Sequence, residues 1–233
     1  MSFIDKIYTD YPFYGSRRIH YELNEKYNIL IARNHIRRLL RIMGLKAIYP
    51  RFKPNTSLAN EQHLKYSYLL KNVLIVRPNQ VWGTDITYIK LETGWCYLIA
   101  FIDWFSRYVI SWELSPTLEI PFCLTALERA LTIAIPEINN SDQGSHFTSE
   151  QFLKLLLDKN VKISMDGKGR CLDNILTERL WRTVKYENVY LKSYKTIDEA
   201  RNGLNEYFQF YNNQRPHQSL NYQTPKKVYS PIN

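Results

Sequence analysis

A chain of 233 residues, 45% hydrophobic and 23% charged, carries enough apolar material for a full core and has length for one domain or two. The apolar run Tyr97-Leu-Ile-Ala-Phe-Ile102 stops at Asp103, far short of a membrane span, and Met1 to Asp10 carries charge where a signal peptide would be apolar. The net charge of +9 lies entirely at the front, because residues 1 to 80 hold 14 Lys and Arg against 5 Asp and Glu while the remainder holds 17 of each. A basic front module ahead of a neutral one is the charge distribution of a protein that holds a polyanion and acts on it. Cytoplasmic residence is expected. Cys96, Cys123 and Cys171 are odd in number and have no paired spacing, so neither a disulfide framework nor a zinc knuckle is indicated.

In chain order, residues 1–45 predict small helices. Gly15 and Ser16 open one with Ile19, Leu23 and Tyr27 on a single face, and Ala32 or Arg33 opens the next with Ile36, Leu39, Leu40 and Met43, ended by Gly44. Arg33, Arg37, Arg38 and Arg41 lie off the apolar stripe, and Arg17 and Arg18 stand at the start of the earlier helix. That pattern suits phosphate contact by a helix-turn-helix-like DNA-binding module, although most charged helix faces are merely solvated. Residues 46–80, with Pro50, Pro54, Asn55 and Pro78, read as a linker with a short helical patch around Leu64 to Leu70.

From residue 81 strand signals follow closely: 82–91, a turn at Glu92 to Gly94, then 95–103 and 107–114. A helix over 120–133 comes next, then a short strand ending at Asp142. Thr148 and Gln151 form a capping-box pattern for a further helix, Val161 to Met165 is a strand candidate, and the Asp166 to Gly169 turn leads to the helix carrying Glu178. Thr196 and Glu199 open a last long helix with Ala200, Leu204, Tyr207, Phe208 and Tyr211. The expected division is 1–45, 46–80, a catalytic core over 81–190, and a C-terminal helix and extension over 191–233 that packs on the core. No internal repeat or low-complexity tract is found.

Asp85, inside the β-branched and aromatic run Val81 to Leu91, is the anomaly, since a carboxylate in a packed strand needs a compensating charge or hydrogen bonds. Asp142 and Glu178 supply two more acids on separate elements, and three such carboxylates suggest a metal site. Hard Mg²⁺ or Mn²⁺ prefers oxygen donors, which suits acids accompanied by no His or Cys ligands. On the last of these helices Glu178, Trp181, Arg182 and Lys185 share a face, with Leu172, Leu176, Leu180 and Val184 as the buried ridge. An ordinary Glu178–Arg182 surface pair is the bland alternative. Asp103 reads as structural, Asp173 as a cap, His217 as packing for the extension, and His146 as a solvated loop residue, with approach to the acid site as its alternative.

Trp82-Gly-Thr-Asp-Ile-Thr-Tyr88, Phe101-Ile-Asp-Trp-Phe-Ser-Arg107, Asn140-Ser-Asp-Gln-Gly-Ser145, Asp173-Asn-Ile-Leu-Thr-Glu178 with Lys185, and Tyr211-Asn-Asn-Gln-Arg-Pro-His217 with Leu220 and Pro225 together resemble the catalytic subunit of bacterial insertion-sequence transposases, in the DDE transposase and retroviral integrase superfamily. The 35 residues between Asp142 and Glu178 match that family's spacing. The resemblance implies a ribonuclease H-like α/β fold, a mixed sheet flanked by helices behind a small basic helical module. It implies Asp85, Asp142 and Glu178 as catalytic and metal-holding acids with two Mg²⁺ or Mn²⁺ ions, and DNA contacts by Lys185, Arg182 and Trp181. Expected partners are the element's terminal inverted repeats, target DNA, further copies of the chain in an active homo-oligomer, and an upstream-frame helix-turn-helix and leucine-zipper protein or fusion. Relatives cut element ends, form a circular intermediate and reinsert it. The chain lacks the His and Cys zinc module of retroviral integrases and starts shortly before Tyr11, as a second reading frame would. Alternatives are a DNA-binding regulator or truncated copy without catalysis, and a nuclease acting on RNA in hybrids.

Overall fold

The computed structural model describes residues 1–48, 66–166 and 174–230. Helices α1 (Ser2–Asp10), α2 (Ser16–Tyr27) and α3 (Arg33–Ile42) close a small core of their own around Ile4, Ile7, Tyr14, Ile19, Leu23 and Ile36. Gly44, at φ +68°, ends α3. The Leu45 N–H returns to Leu40 O and the Gly44 N–H to Arg41 O, a Schellman closure that requires the left-handed conformation glycine adopts at no steric cost.

Strands β1 (Val81–Leu91), β2 (Gly94–Asp103), β3 (Val109–Ser115), β4 (Ile138–Ser141) and β5 (Lys162–Met165) form one sheet in the order β3-β2-β1-β4-β5. The first three are an antiparallel meander, and β1–β4 and β4–β5 are parallel. Alternation along the strands splits the core in two. Val81, Ile89, Leu98, Ala100 and Ile102 pack against α6 (Ile175–Val184) and α8 (Ile197–Asn213), whereas Trp82, Ile99 and Phe101 pack against α4 (Ile120–Ile133) and α5 (Glu150–Leu157). A five-stranded mixed sheet between two helical layers, with the helical module in front, is the fold the resemblance implies.

Two local expectations are corrected. Residues 66–70 are not helical: their exposure alternates with period two, and Leu69 N–H donates to Ser164 Oγ at 3.0 Å, which ties the segment to β5; Leu64 and Lys65 lie outside the described residues. The cap of α5 is Ser149, whose Oγ accepts from Phe152 N–H, while Thr148 Oγ donates back to Gly144 O. After α6 the helix widens into a π-helical turn, Lys185–Val189, before the short α7 (Tyr190–Lys192). The anticipated cap at Thr196 is present, accepting from Glu199 N–H. A 3-10 turn, Gln218–Leu220, and α9 (Pro225–Tyr229) follow. The linker prolines Pro50 and Pro54, most of the Asp166 to Gly169 turn, Cys171, Leu172 and Asp173 lie outside the described residues.

Candidate active site

Parallel pairing brings the first two acids together. Gly83 pairs with Asn140, so two residues further on Asp85 and Asp142 stand level on adjacent strands, just past the end of β4. Asp85 shares its sheet face with Val81 and Ile89, the face covered by α6. Gly83, two residues before Asp85, has no side chain there, and a Cβ would collide with Trp104 Nε1 and stand 2.6 Å from Thr177 Oγ1. The missing side chain lets Thr177 settle on the strand, and the next residue, Glu178, is thereby aimed at the same cleft. Asp85, Asp142, Glu178, His146, Asp166 and Asn174 all line this cavity of about 420 Å³.

The electrostatics are those of a site short of positive charge. Burial pushes the Asp85 carboxyl up to about 7, helped by the negative charges of Asp142 and Glu178 and opposed by hydrogen bonds from Trp181 and the Ile86 N–H. Desolvation also raises Asp142, which is held partly in check by the Gly144 N–H at 2.8 Å and by nearby His146, and desolvation raises Glu178. None of the three acids is in an ion pair among the described residues. Carboxylates on three elements, each raised chiefly by desolvation and none in an ion pair, are oxygen donors of the kind a hard divalent ion takes. Among the described residues no group of three His, Cys, Asp or Glu stands close enough together to hold one.

The other anticipated residues divide. Trp181 is 6% exposed and belongs to the core, where its Nε1 donates to Asp85 Oδ2 at 2.8 Å; it holds an acid and is not a surface for DNA. Arg182 is exposed, Lys185 half-buried, and Arg33, Arg37, Arg38 and Arg41 are exposed on α3. Arg17 is exposed within reach of Gln218, 3.4 Å away. Arg18 turns inward, 3.0 Å from Glu187, with its guanidinium over the Tyr14 ring. Asp103 is structural as expected, accepting from Ser106 N, Ser106 Oγ and Asn79 N. His146 lines the cleft, the approach to the site that its place after the Asp142 loop left open, and contacts Leu118 O at 2.9 Å.

Glu187 was missed altogether. Arg215 grips it with two guanidinium bonds of 2.6 Å, Tyr207 OH donates at 2.8 Å, and Arg18 reaches it from α2. Arg215 also contacts His217 Nε2 at 2.9 Å, and burial with the neighbouring cations drives that imidazole down to about 2, so it is neutral. The available signal was Arg215 itself: a buried arginine demands an acid partner.

Three family models match: two described as "Integrase core domain", over residues 76–171 and 159–225, and one described as "HTH-like domain", over residues 1–53. The chain is 30% identical over 218 residues to the transposase for insertion sequence element IS904 of Lactococcus lactis subsp. lactis (strain IL1403), covering 91% of this chain and 86% of that protein. It is 28% identical over 228 residues to the transposase for IS629 of Shigella sonnei, covering 97% and 77%. Among solved structures, a simian T-cell lymphotropic virus intasome complex matches with a TM-score of 0.60 at 20% identity over 75% of this chain and 62% of that one. The HTLV-2 integrase catalytic core in complex with magnesium matches with a TM-score of 0.55 at 22% identity, over 66% and 99%. Those two likenesses establish the fold alone, and the ribonuclease H-like core with its helical front module agrees with them. The chain belongs to the bacterial insertion-sequence transposases of the DDE transposase and retroviral integrase superfamily.

Proposed function

We propose that the chain performs metal-dependent DNA 3′-end cleavage and strand transfer at one site built from Asp85, Asp142 and Glu178. The observation that carries this is the convergence of the three carboxyls on one cleft, all raised and none paired with a cation. The acids would hold two Mg²⁺ or Mn²⁺ ions, which, when bound, supply Lewis-acid polarisation of the phosphodiester and activation of the attacking oxygen. The HTLV-2 relative is described in complex with magnesium, which supports the choice of ion.

The chain's own residues prepare the site. Trp181 fixes Asp85 through Oδ2, and the Gly144 N–H fixes Asp142 in the same way through Oδ1. His146 offsets part of the charge of Asp142. Arg182, one turn beyond Glu178, and Lys185 are suited to positioning the strand. In the first reaction water attacks the phosphodiester at an element end and frees a 3′ hydroxyl; in the second that hydroxyl attacks a phosphodiester of the target. Neither needs a covalent protein intermediate.

In this reading residues 1–45 bind DNA, 81–190 carry the chemistry and 191–233 brace the core. The active form is a homo-oligomer on inverted repeats and target DNA, assisted by an upstream-frame helix-turn-helix and leucine-zipper protein or fusion. It acts in the bacterial cytoplasm at the nucleoid. The test is Mn²⁺-dependent joining on a supercoiled plasmid carrying candidate element ends, comparing the chain with Asp142→Asn and Glu178→Gln. Joining that both substitutions abolish supports the reading. DNA binding without cleavage or joining, unrescued by fusion to the upstream frame, overturns it in favour of a regulator.

A further inference from the structure

Beside α6, two adjoining cavities of about 470 and 330 Å³ share Arg18, Arg182, Thr183, Arg215 and Gln218. Together they form a channel between the helical module and the core. Arg17 and Arg33 enter it from α2 and α3, Arg182 and Arg179 from α6, and Arg107 from the β2–β3 connection. Its one acid is Glu187, already held by Arg18 and Arg215. Arg33, Arg179 and Arg182 have no ion-pair or hydrogen-bond partner among the described residues. Burial lowers Arg107, whose side chain is anchored on Trp104 O.

A solvated charged face does not explain this arrangement. Cations of one sign facing one another across a concavity repel, and they are tolerated where an anion completes them. A single small anion would occupy one or two guanidiniums. Here the guanidiniums are distributed along a path from α3, over α6, to Arg107, which matches a chain of regularly repeating negative charge. Guanidinium forks suit phosphate oxygens in particular.

We propose that this channel is a second nucleic-acid site, which holds the phosphate backbone of the DNA flanking the scissile position and so seats the helical module and the catalytic core on one duplex. The proposal rests on the DNA-transfer reading above and adds Arg179 and Arg107 to the residues that serve it. Glu187 is the positioning residue: by joining Arg18 of α2 to Arg215 of the C-terminal extension, it fixes the two walls at the spacing the duplex meets.

The test is fluorescence anisotropy of the full chain with a labelled random-sequence duplex of about 30 base pairs, between about 50 and 200 mM salt. The variants are the triple substitution Arg33→Ala, Arg179→Ala, Arg182→Ala, its all-Lys counterpart, and Arg77→Ala as a control that loses one exposed arginine paired with Glu137. The expected result is that the Ala triple lowers the slope of log affinity against log salt by about 2 to 3, since each lost phosphate contact removes about 0.9, while the Lys triple and Arg77→Ala keep it. An Ala triple that is folded, as judged by circular dichroism, and keeps the parent slope overturns the proposal. If the Ala triple does not fold, the corresponding Gln triple is read in its place: a slope lowered by about 2 to 3 supports the site, and a folded Gln triple that keeps the parent slope overturns it. A chain that joins DNA with the channel slope unaffected fails this proposal alone, and a chain that binds through the channel yet never joins fails the catalytic reading alone.

Discussion

Trp181 Nε1 donates to Asp85 Oδ2 at 2.8 Å, so a core indole of α6 holds the carboxylate of the central strand. Trp181→Phe keeps most of the buried ring and removes the donor. The hydrogen bond lowers the Asp85 carboxyl, so its loss raises that group further above its present value of about 7. The expected outcome is an acid limb of the pH profile for DNA joining that moves to higher pH, with a stability loss on the order of 1 kcal/mol by urea unfolding. An unmoved limb contradicts the role assigned to the indole.

Asp85 also makes the metal-free protein pH-sensitive in a defined direction. Its folded value of about 7 lies above the ordinary 3.8, so the folded carboxyl keeps a proton that the unfolded one has released. The stability tied to this group is therefore present below about pH 4 and is lost as pH rises through 7. Thermal unfolding in chelator from pH 5 to 8 should show a decline in the parent that is reduced in Asp85→Asn, which should be the more stable of the two at pH 8. Parallel curves would contradict this.

The Gly83 position ties the sheet to the catalytic helix. Gly83→Ala inserts a Cβ against Trp104 Nε1 and Thr177 Oγ1, and overpacking of this kind costs about 1–3 kcal/mol. Because Thr177 precedes Glu178, α6 must move to relieve it. DNA joining is expected to fall at least tenfold in a protein whose circular dichroism spectrum is unchanged, and retention of full joining would show that α6 has slack there.

How much of this was legible follows from which interactions are local. The strands, the helix over 120–133 and the Thr196 cap were readable because alternation, apolar spacing and capping residues lie within a few positions of one another. Motif order and spacing singled out Asp85, Asp142 and Glu178, and the structure places all three along one cleft. Trp181 was misplaced because residue spacing gives the helix face but not the width of the buried arc: α6 is covered further round than the ridge Leu176, Leu180, Val184 indicated. Glu187 was invisible because its partners Arg18 and Arg215 are 169 and 28 residues away, and such pairing leaves no periodic trace. Residues 66–70 were mistaken for helix because four of them are Tyr or Leu, and the strand-like alternation that decides the matter depends on neighbouring β5.

Glu187 anchors three parts of the chain, and its removal strands buried Arg215. Burial alone would raise this carboxyl, but Arg215 and Arg18 outweigh it and hold the group below the usual carboxylate range. Its contribution is thus present above the ordinary value of 4.5 and is lost as pH falls through the depressed one. Breaking a buried pair costs about 3–5 kcal/mol. Urea unfolding of Glu187→Gln should show a loss of that order at pH 7 that shrinks in acid, and a loss equal at pH 7 and pH 3 would contradict the ion-pair role.

The most direct measurement is Mn²⁺ binding to the metal-free chain at pH 8, followed by electron paramagnetic resonance, for the parent and for Asp85→Asn, Asp142→Asn and Glu178→Gln. Saturable binding by the parent, weakened at least tenfold by each substitution, is the outcome expected of one site shared by three acids. Parent-like affinity in any of the three variants would show that the acid concerned is not part of the site.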